Sequence, residues 1–193
     1  IRYHMVEKYD GQKSVQEFIE RNLQYSSFRK MAIENAMKQK DYGYVIKLAS
    51  EGEEQDKSLP GLVKQRKEYR YKVYKLSGKL DEQREIAVNF ILGGNYEYYK
   101  ELKNTYNLKE WAYTYPKIIN LLEAQNKTHQ DIYTRILIEE EEKHKLLEYV
   151  KQRPSSIQYF YKHLVPEFED EVYMLFRKYI ELSAASAKSR SGY

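Results

Sequence analysis

The chemistry-bearing residues of this chain are few. Glu141-x-x-His144 has the spacing of half a carboxylate-bridged di-metal site. Such a site needs that pair twice and two further inward Glu, yet His4, His129 and His163 have no Glu three residues before them. Glu139–Glu142 is also the most hydrophilic run in the chain, so the pair reads as a solvated helix end, and no metal site is assigned. Gly93-Gly94 lacks the GxxxxGK[ST] context of a phosphate loop and follows a helix instead of a strand. No Gly-x-Ser-x-Gly elbow and no cysteine nucleophile occur. No catalytic residue and no cofactor are indicated, and a non-enzymatic protein is expected.

The electrostatic feature is a basic stretch from Lys64 to Lys79 whose only acid is Glu68. At 100° per residue, Lys64, Lys67, Lys72, Lys75 and Lys79 lie opposite the apolar stripe of Tyr69, Val73 and Leu76. With Tyr71 and Tyr74 nearby, such a ridge could track a phosphate backbone and stack bases. Arg177, Lys178, Lys188 and Arg190 would have to extend it. The competing reading is the ordinary wet face of an amphipathic helix. Arg66 falls on the inner side, where a guanidinium must find a carboxylate or backbone carbonyls.

These residues must be positioned by helices. Only 4 Pro and 8 Gly occur in 193 residues, strand-like alternation never persists, and helical spacing is found almost everywhere, so the fold class is all-α. Arg84 to Leu102 reads as a hairpin. Ile86, Ala87, Phe90 and Ile91 form one apolar face, Gly93-Gly94 the turn, Asn95 a cap, and Tyr98, Tyr99, Leu102 and Tyr106 the second face. Ser26 or Ser27, Asp41, Asp81 and Asp131 are expected helix caps. Gly52 is expected to end a helix, with 51–58 as a loop. Pro60, Pro154 and Pro166 are expected to open helices. Leu62, Tyr69, Val73, Leu76 and Leu80 form the expected inner stripe after Pro60. Pro116 interrupts the register of Trp111, Tyr115, Ile118, Ile119 and Leu122, which predicts a break at Tyr115.

Three sets of landmarks share a spacing of about 50 residues. Pro60, Pro116 and Pro166 are 56 and 50 apart, Ser27, Asp81 and Asp131 are 54 and 50 apart, and Leu48, Leu102 and Val150 are 54 and 48 apart. Four short helices per period would form stacked hairpins, an α-solenoid of tetratricopeptide-like character. The expected units are 13–59, 60–115 and 116–165, with a last helix over 166–185, within a single domain. A plain irregular bundle is the alternative.

The stretches Ala87–Leu102 (AVNFILGGNYEYYKEL) and Tyr179–Arg190 (YIELSAASAKSR) resemble the helical region of bacterial SWIM zinc-finger proteins. In that family a long α-helical segment accompanies a CxC…CxH finger. The chain has no Cys, so the finger is absent and neither a zinc ligand nor a finger-borne nucleic-acid role carries over. The resemblance implies a helical-repeat accessory region of a larger intracellular bacterial protein.

Lys and Arg total 33 against 29 Asp and Glu, a net of +4 that does not by itself imply nucleic acid. Mean hydropathy is −0.85 and no apolar run approaches the ~18 residues of a membrane span. The absence of Cys and of a secretory segment makes a cytoplasmic setting the expectation, so the Asn126-Lys127-Thr128 sequon carries no weight. The 21 tyrosines fit a codon-biased genome that packs with Tyr, or a Tyr-rich binding surface. The expected function is protein interaction with an unidentified partner, and nucleic-acid binding is the alternative. No membrane and no small-molecule ligand are indicated. The candidate contacts are Lys64, Lys67, Lys72, Lys75 and Lys79 for the ridge, and Tyr96, Tyr113 and Tyr159 as tyrosines left over after packing.

Overall fold

The computed structural model describes residues 11–125 and 130–188, and every regular element among them is a helix. His4, His129, Arg190 and the sequon at 126–128 lie outside the described residues. The helices are α1 (Gly11–Glu20), α2 (Ser26–Gln39), α3 (Tyr42–Gln55), α4 (Pro60–Ser77), α5 (Leu80–Leu92) and α6 (Tyr96–Lys103). They continue with α7 (Leu108–Ala124), α8 (Gln130–Glu139), α9 (Lys143–Gln152), a 3-10 turn (Pro154–Ser156), α10 (Ile157–Leu164) and α11 (Glu169–Lys188). No described helix is long and apolar enough to cross a membrane.

The chain divides into two compact units, residues 1–91 with 96–111, and 92–95 with 112–193. In the first, α1, α2, α3 and α4 pack in chain order around Ile19, Ala32, Ile33, Val45, Leu48, Ala49 and Val73. Asp41 caps α3 as expected, accepting from the Tyr44 N–H at 3.0 Å, and Pro60 sits in the first turn of α4. In the second unit, α8 packs on α9, α9 on α10 and α10 on α11, with Ile132, Ile136, Leu146, Val150, Ile157 and Leu164 buried.

The hairpin of α5 and α6 forms as read. Ile86, Ala87, Phe90 and Ile91 are buried on one arm, Tyr99 and Leu102 on the other. Gly94 makes the turn at φ +87°, a conformation that a Cβ would oppose. Arg84 ties the far end of the hairpin: its Nε donates to Thr105 Oγ1 at 3.1 Å, its Nη2 to the Thr105 carbonyl, and its guanidinium lies 3.7 Å from the Tyr106 ring centre.

Several local expectations are overturned. Gly52 does not end a helix: α3 runs on to Gln55, so most of the expected loop is helical. Tyr25, not a serine, occupies the N-cap position of α2 and supplies no side-chain cap, while Asp81 and Asp131 lie inside first turns, where a negative charge is favourable. Leu80 is exposed and lies beyond the Gly78 cap, as the first residue of α5. Leu76 is exposed because α4 buries two faces, Arg66 and Val73 on one and Tyr71 and Tyr74 on the other. No single stripe describes such a helix. Pro166 lies in a turn over 165–168 after a cis peptide bond, and α11 starts at Glu169. The acidic trio Glu169, Asp170 and Glu171 suits a helix N-terminus, whereas Val165, preceding a proline, resists the helical conformation.

α7 passes straight through Pro116. Pro116 and Ala112, whose carbonyl loses its partner, are both exposed, so water can take the freed acceptor. Trp111, Tyr115, Ile118, Ile119 and Leu122 are buried on the opposite side, and their burial outweighs the ~3 kcal/mol penalty of a mid-helix proline. Pro116→Ala should therefore restore the missing hydrogen bond without disturbing the buried face. Urea unfolding is expected to show a gain of ~1–3 kcal/mol. A loss would mean that the proline ring itself contributes to the packing.

The helices also recur with one spacing. First residues at 26, 80 and 130 are 54 and 50 apart, those at 42, 96 and 143 are 54 and 47 apart, and those at 60, 108 and 157 are 48 and 49 apart. Each period thus holds three helices instead of the expected four, because α7 is unbroken. Matching positions behave alike: Ala32, Ile86 and Ile136 are all buried, as are Ile33, Ala87 and Leu137.

Candidate functional site

The most distinctive polar constellation lies in the first unit, where α2, α3 and α4 meet. Two arginines are buried there, Arg29 at 1% exposure and Arg66 at 0%. Arg66 Nη2 donates to both the carbonyl and the hydroxyl of Ser26, each at 2.9 Å, and stands 3.9 Å from Asp56 Oδ2. Arg29 Nη1 donates to the same Asp56 oxygen at 3.1 Å, and its Nη2 donates to Gln55 Oε1. The expectation that Arg66 finds backbone and carboxylate oxygens holds. Ser26, read as a cap, is instead an acceptor for Arg66.

One carboxylate thus serves two guanidiniums. Burial pushes Arg66 down from its ordinary value, Asp56 pulls it back up, and the neighbouring Arg29 pushes it down again. Asp56 follows the last turn of α3, where the negative end of the helix dipole also favours the cations. Arg66 Nε has no hydrogen-bond partner among the described residues. It faces Gly52: a Cβ there would lie 3.0 Å from Arg66 Nε, 3.1 Å from Arg29 Cδ and 3.2 Å from Arg66 Cδ. Gly52 is therefore glycine so that α3 can approach two immobilised side chains. Arg70 continues the row, donating to Glu53 Oε1 at 2.9 Å. The constellation is a closed structural clamp whose donors are turned toward protein.

The sequence contained a signal for it that charge patterning obscures. Arg29 lies on the stripe of Ala32, Ile33 and Ala36, a charge inside an apolar face. Gly52 sits between Leu48 and Ala49 on one side and Asp56 on the other, on the face that α3 buries.

The basic ridge is only partly assembled. Lys64, Lys72 and Lys79 are exposed and Lys67 is half-buried. Lys75 Nζ is bound to Glu101 Oε2 at 2.6 Å, and the Tyr71 hydroxyl donates to that same oxygen at 2.8 Å. Tyr71 and Tyr74, which the nucleic-acid reading needs for stacking on bases, are buried. Tyr71 packs edge-on against Phe90 and Tyr98, and burial pushes its hydroxyl up to about 12. Arg177 and Lys178 are exposed on α11 in the second unit.

Of the leftover tyrosines, Tyr113 and Tyr159 are exposed at 77% and 71%. Tyr96 is a correction: at 7% exposure it is buried, stacked on Tyr99 with ring centres 6.0 Å apart and covered by Lys100. His144 is exposed, 4.0 Å from Glu167 and edge-on to Phe168. Among the described residues no group of three or more His, Asp or Glu converges as a metal-binding set.

Gly52→Ala sets two effects against each other. Alanine favours a helix by ~1 kcal/mol, while an added methyl in a full core costs ~1–3 kcal/mol. Because both arginines are pinned, denaturant unfolding should show net destabilisation, whereas a gain would mean that the guanidiniums can shift. Glu101 gives a second expectation. Its bond from Lys75 and its bond from Tyr71 hold its carboxyl below the ordinary value, against the effect of burial. A folded value below the unfolded ~4.3 stabilises the fold above that value, and the contribution disappears as pH falls through the folded one. Glu101→Gln should flatten the acid limb of a stability–pH profile, and an unchanged limb would exclude the pairing as its source.

No family model, no curated protein and no solved structure matches the chain. The resemblance to SWIM zinc-finger proteins rests on the quoted residues alone.

Proposed function

We propose that the chain is a non-catalytic helical-repeat scaffold, an α-solenoid of tetratricopeptide-like units that holds a protein partner. The observation that carries this reading is the threefold recurrence of helix starts together with buried positions at the same offsets, such as Ile33, Ala87 and Leu137. A unit of two or three short helices cannot bury its apolar face alone, so repetition of this kind is the pattern of stacked repeats. The polar residue at the fourth position of each first helix supports it as well. Arg29, Gln83 and Tyr133 each hydrogen-bond to a residue outside their own helix: Asp56, Tyr71 and Glu123 respectively.

The partner-facing groups in this reading are Tyr113 and Tyr159, large side chains with an apolar body and a polar tip, the type enriched at protein interfaces. The basic helix is the weaker surface for nucleic acid, since Lys75 is already paired and its neighbouring aromatic rings are buried. A bacterial cytoplasmic setting belongs to the same proposal.

Quantitative affinity capture from an extract of the source organism, with the wild type and with Tyr113→Ala/Tyr159→Ala as parallel baits, tests it. A protein retained by the wild type and reduced about tenfold, equivalent to ~1.4 kcal/mol, by the double substitution is expected. Equal recovery by both baits, or recovery of RNA or DNA in place of protein, would contradict it.

A further inference from the structure

α11 leaves one whole face uncovered. Asp170, Glu171, Met174, Arg177, Lys178 and Glu181 line an open groove of about 770 Å³, with Lys151 at its edge and Leu175 at its floor. Their spacing of i, i+1, i+4, i+7, i+8 and i+11 puts them on one side of the helix. Met174 is 59% exposed at the centre, a large apolar side chain in water, and Tyr173 and Ile180 are exposed along one flank.

The order of charges on this face is what identifies an occupant. Two carboxylates precede Met174 by four and three residues, and two cations follow it by three and four. The four charges flanking Met174 are therefore their own mirror image with the sign reversed. The geometry points to a second copy of this chain: α11 pairs antiparallel with α11 of another molecule about a two-fold axis through Met174. Asp170 and Glu171 of each copy then lie opposite Lys178 and Arg177 of the other, the self-complementarity that a two-fold interface requires. A parallel pair would juxtapose acids with acids and cations with cations. Glu181 falls opposite Glu167, just before the helix, a like-charge contact at each end that Lys143 moderates, since its Nζ already donates to Glu167 Oε2 at 2.8 Å. Within one chain Arg177 Nε is bound to Glu181 Oε1 at 3.1 Å, but that pair is about two-thirds exposed and contributes little, so it can be exchanged.

A stripe of this length buries about 1,000 Å² in total at most, near the lower bound for a specific interface. The dimer is accordingly weak and weakens with salt, since its ion pairs lie at a solvated rim. This self-association goes beyond the scaffold reading and holds whether or not another protein is bound.

Sedimentation velocity over a concentration series tests it. The wild type should pass reversibly from 23.3 kDa to twice that mass. Arg177→Glu/Lys178→Glu makes all four charges flanking Met174 acidic and Asp170→Lys/Glu171→Lys makes all four basic, and each alone should raise the dissociation constant about tenfold or more. An equimolar mixture of the two variants should dimerise again. All four positions are exposed, and unchanged helical circular dichroism will show that the variants fold. The chain has no native cysteine, so Met174→Cys reports the axis: it should form a disulfide-linked dimer under oxidation, whereas Lys178→Cys should not. A wild type that stays monomeric throughout, leaving the face to a different protein, overturns the proposal. So does a mixture that fails to dimerise, or a Lys178→Cys chain that cross-links as readily.

Discussion

Two buried guanidiniums sharing one carboxylate set the terms for the first unit. Removing an ion from water costs several kcal/mol even after relaxation, so Arg29 and Arg66 are tolerable only when every acceptor is in place. Those acceptors come from two helices, Ser26 at the start of α2 and Gln55 and Asp56 at the end of α3, and Arg66 reaches them from a third, α4. A slip of α3 by one residue would withdraw Asp56 and leave two uncompensated cations in the interior. The clamp thus does what Ile33, Leu48 and Val73 cannot do alone. Apolar contact rewards any dense arrangement, whereas the clamp rewards one register.

From that junction the rest of the unit is built outward along α4. One of its faces is committed to Arg66 and Val73, so its other face is free to bury Tyr71 and Tyr74. Tyr71 then bridges to the hairpin, accepting from Gln83 at 3.2 Å and donating to Glu101. Glu101 in turn takes Lys75, which is how a residue of the basic ridge becomes part of the internal bonding. The abundance of tyrosine has a physical reading in this network. Tyr71, Tyr74, Tyr96 and Tyr99 fill space as phenylalanine would, and Tyr71 in addition satisfies polar neighbours that a phenylalanine would strand.

The all-helical class, the α5–α6 hairpin and the Asp41 cap were legible because each is a local signal: spacing of apolar residues, a glycine turn, a cap. The partners of Arg66 were legible in kind, since a cation on an apolar stripe has few acceptable solutions. What was not legible depended on contacts distant in sequence. Gly52 reads locally as a stop, and only the Arg66 and Arg29 side chains 14 residues after and 23 before it explain why it lies inside a helix. Pro116 reads as a break until the burial of Tyr115 and Ile118 is weighed against it. Tyr96 and Lys75 read as surface because Tyr99 stacking and Glu101 pairing leave no trace in a helical wheel. Exposure of Tyr113 and Tyr159 did follow from their places off the buried stripe.

Asp56 and the two arginines act as one unit and not as separate contacts. The direct measurement is a double-mutant cycle at Asp56 and Arg66, with Asp56→Asn, Arg66→Met and the pair compared by urea unfolding. Asp56→Asn should be severe, ~3–5 kcal/mol, because it leaves two buried cations without their carboxylate. Arg66→Met should cost less, ~1–3 kcal/mol, since it strands the Ser26 acceptors but leaves Arg29 paired with Asp56. The pair should cost less than the sum, with a coupling of ~1–3 kcal/mol. Additive losses would contradict the account, reducing the clamp to independent hydrogen bonds and returning the register of α2, α3 and α4 to apolar packing alone.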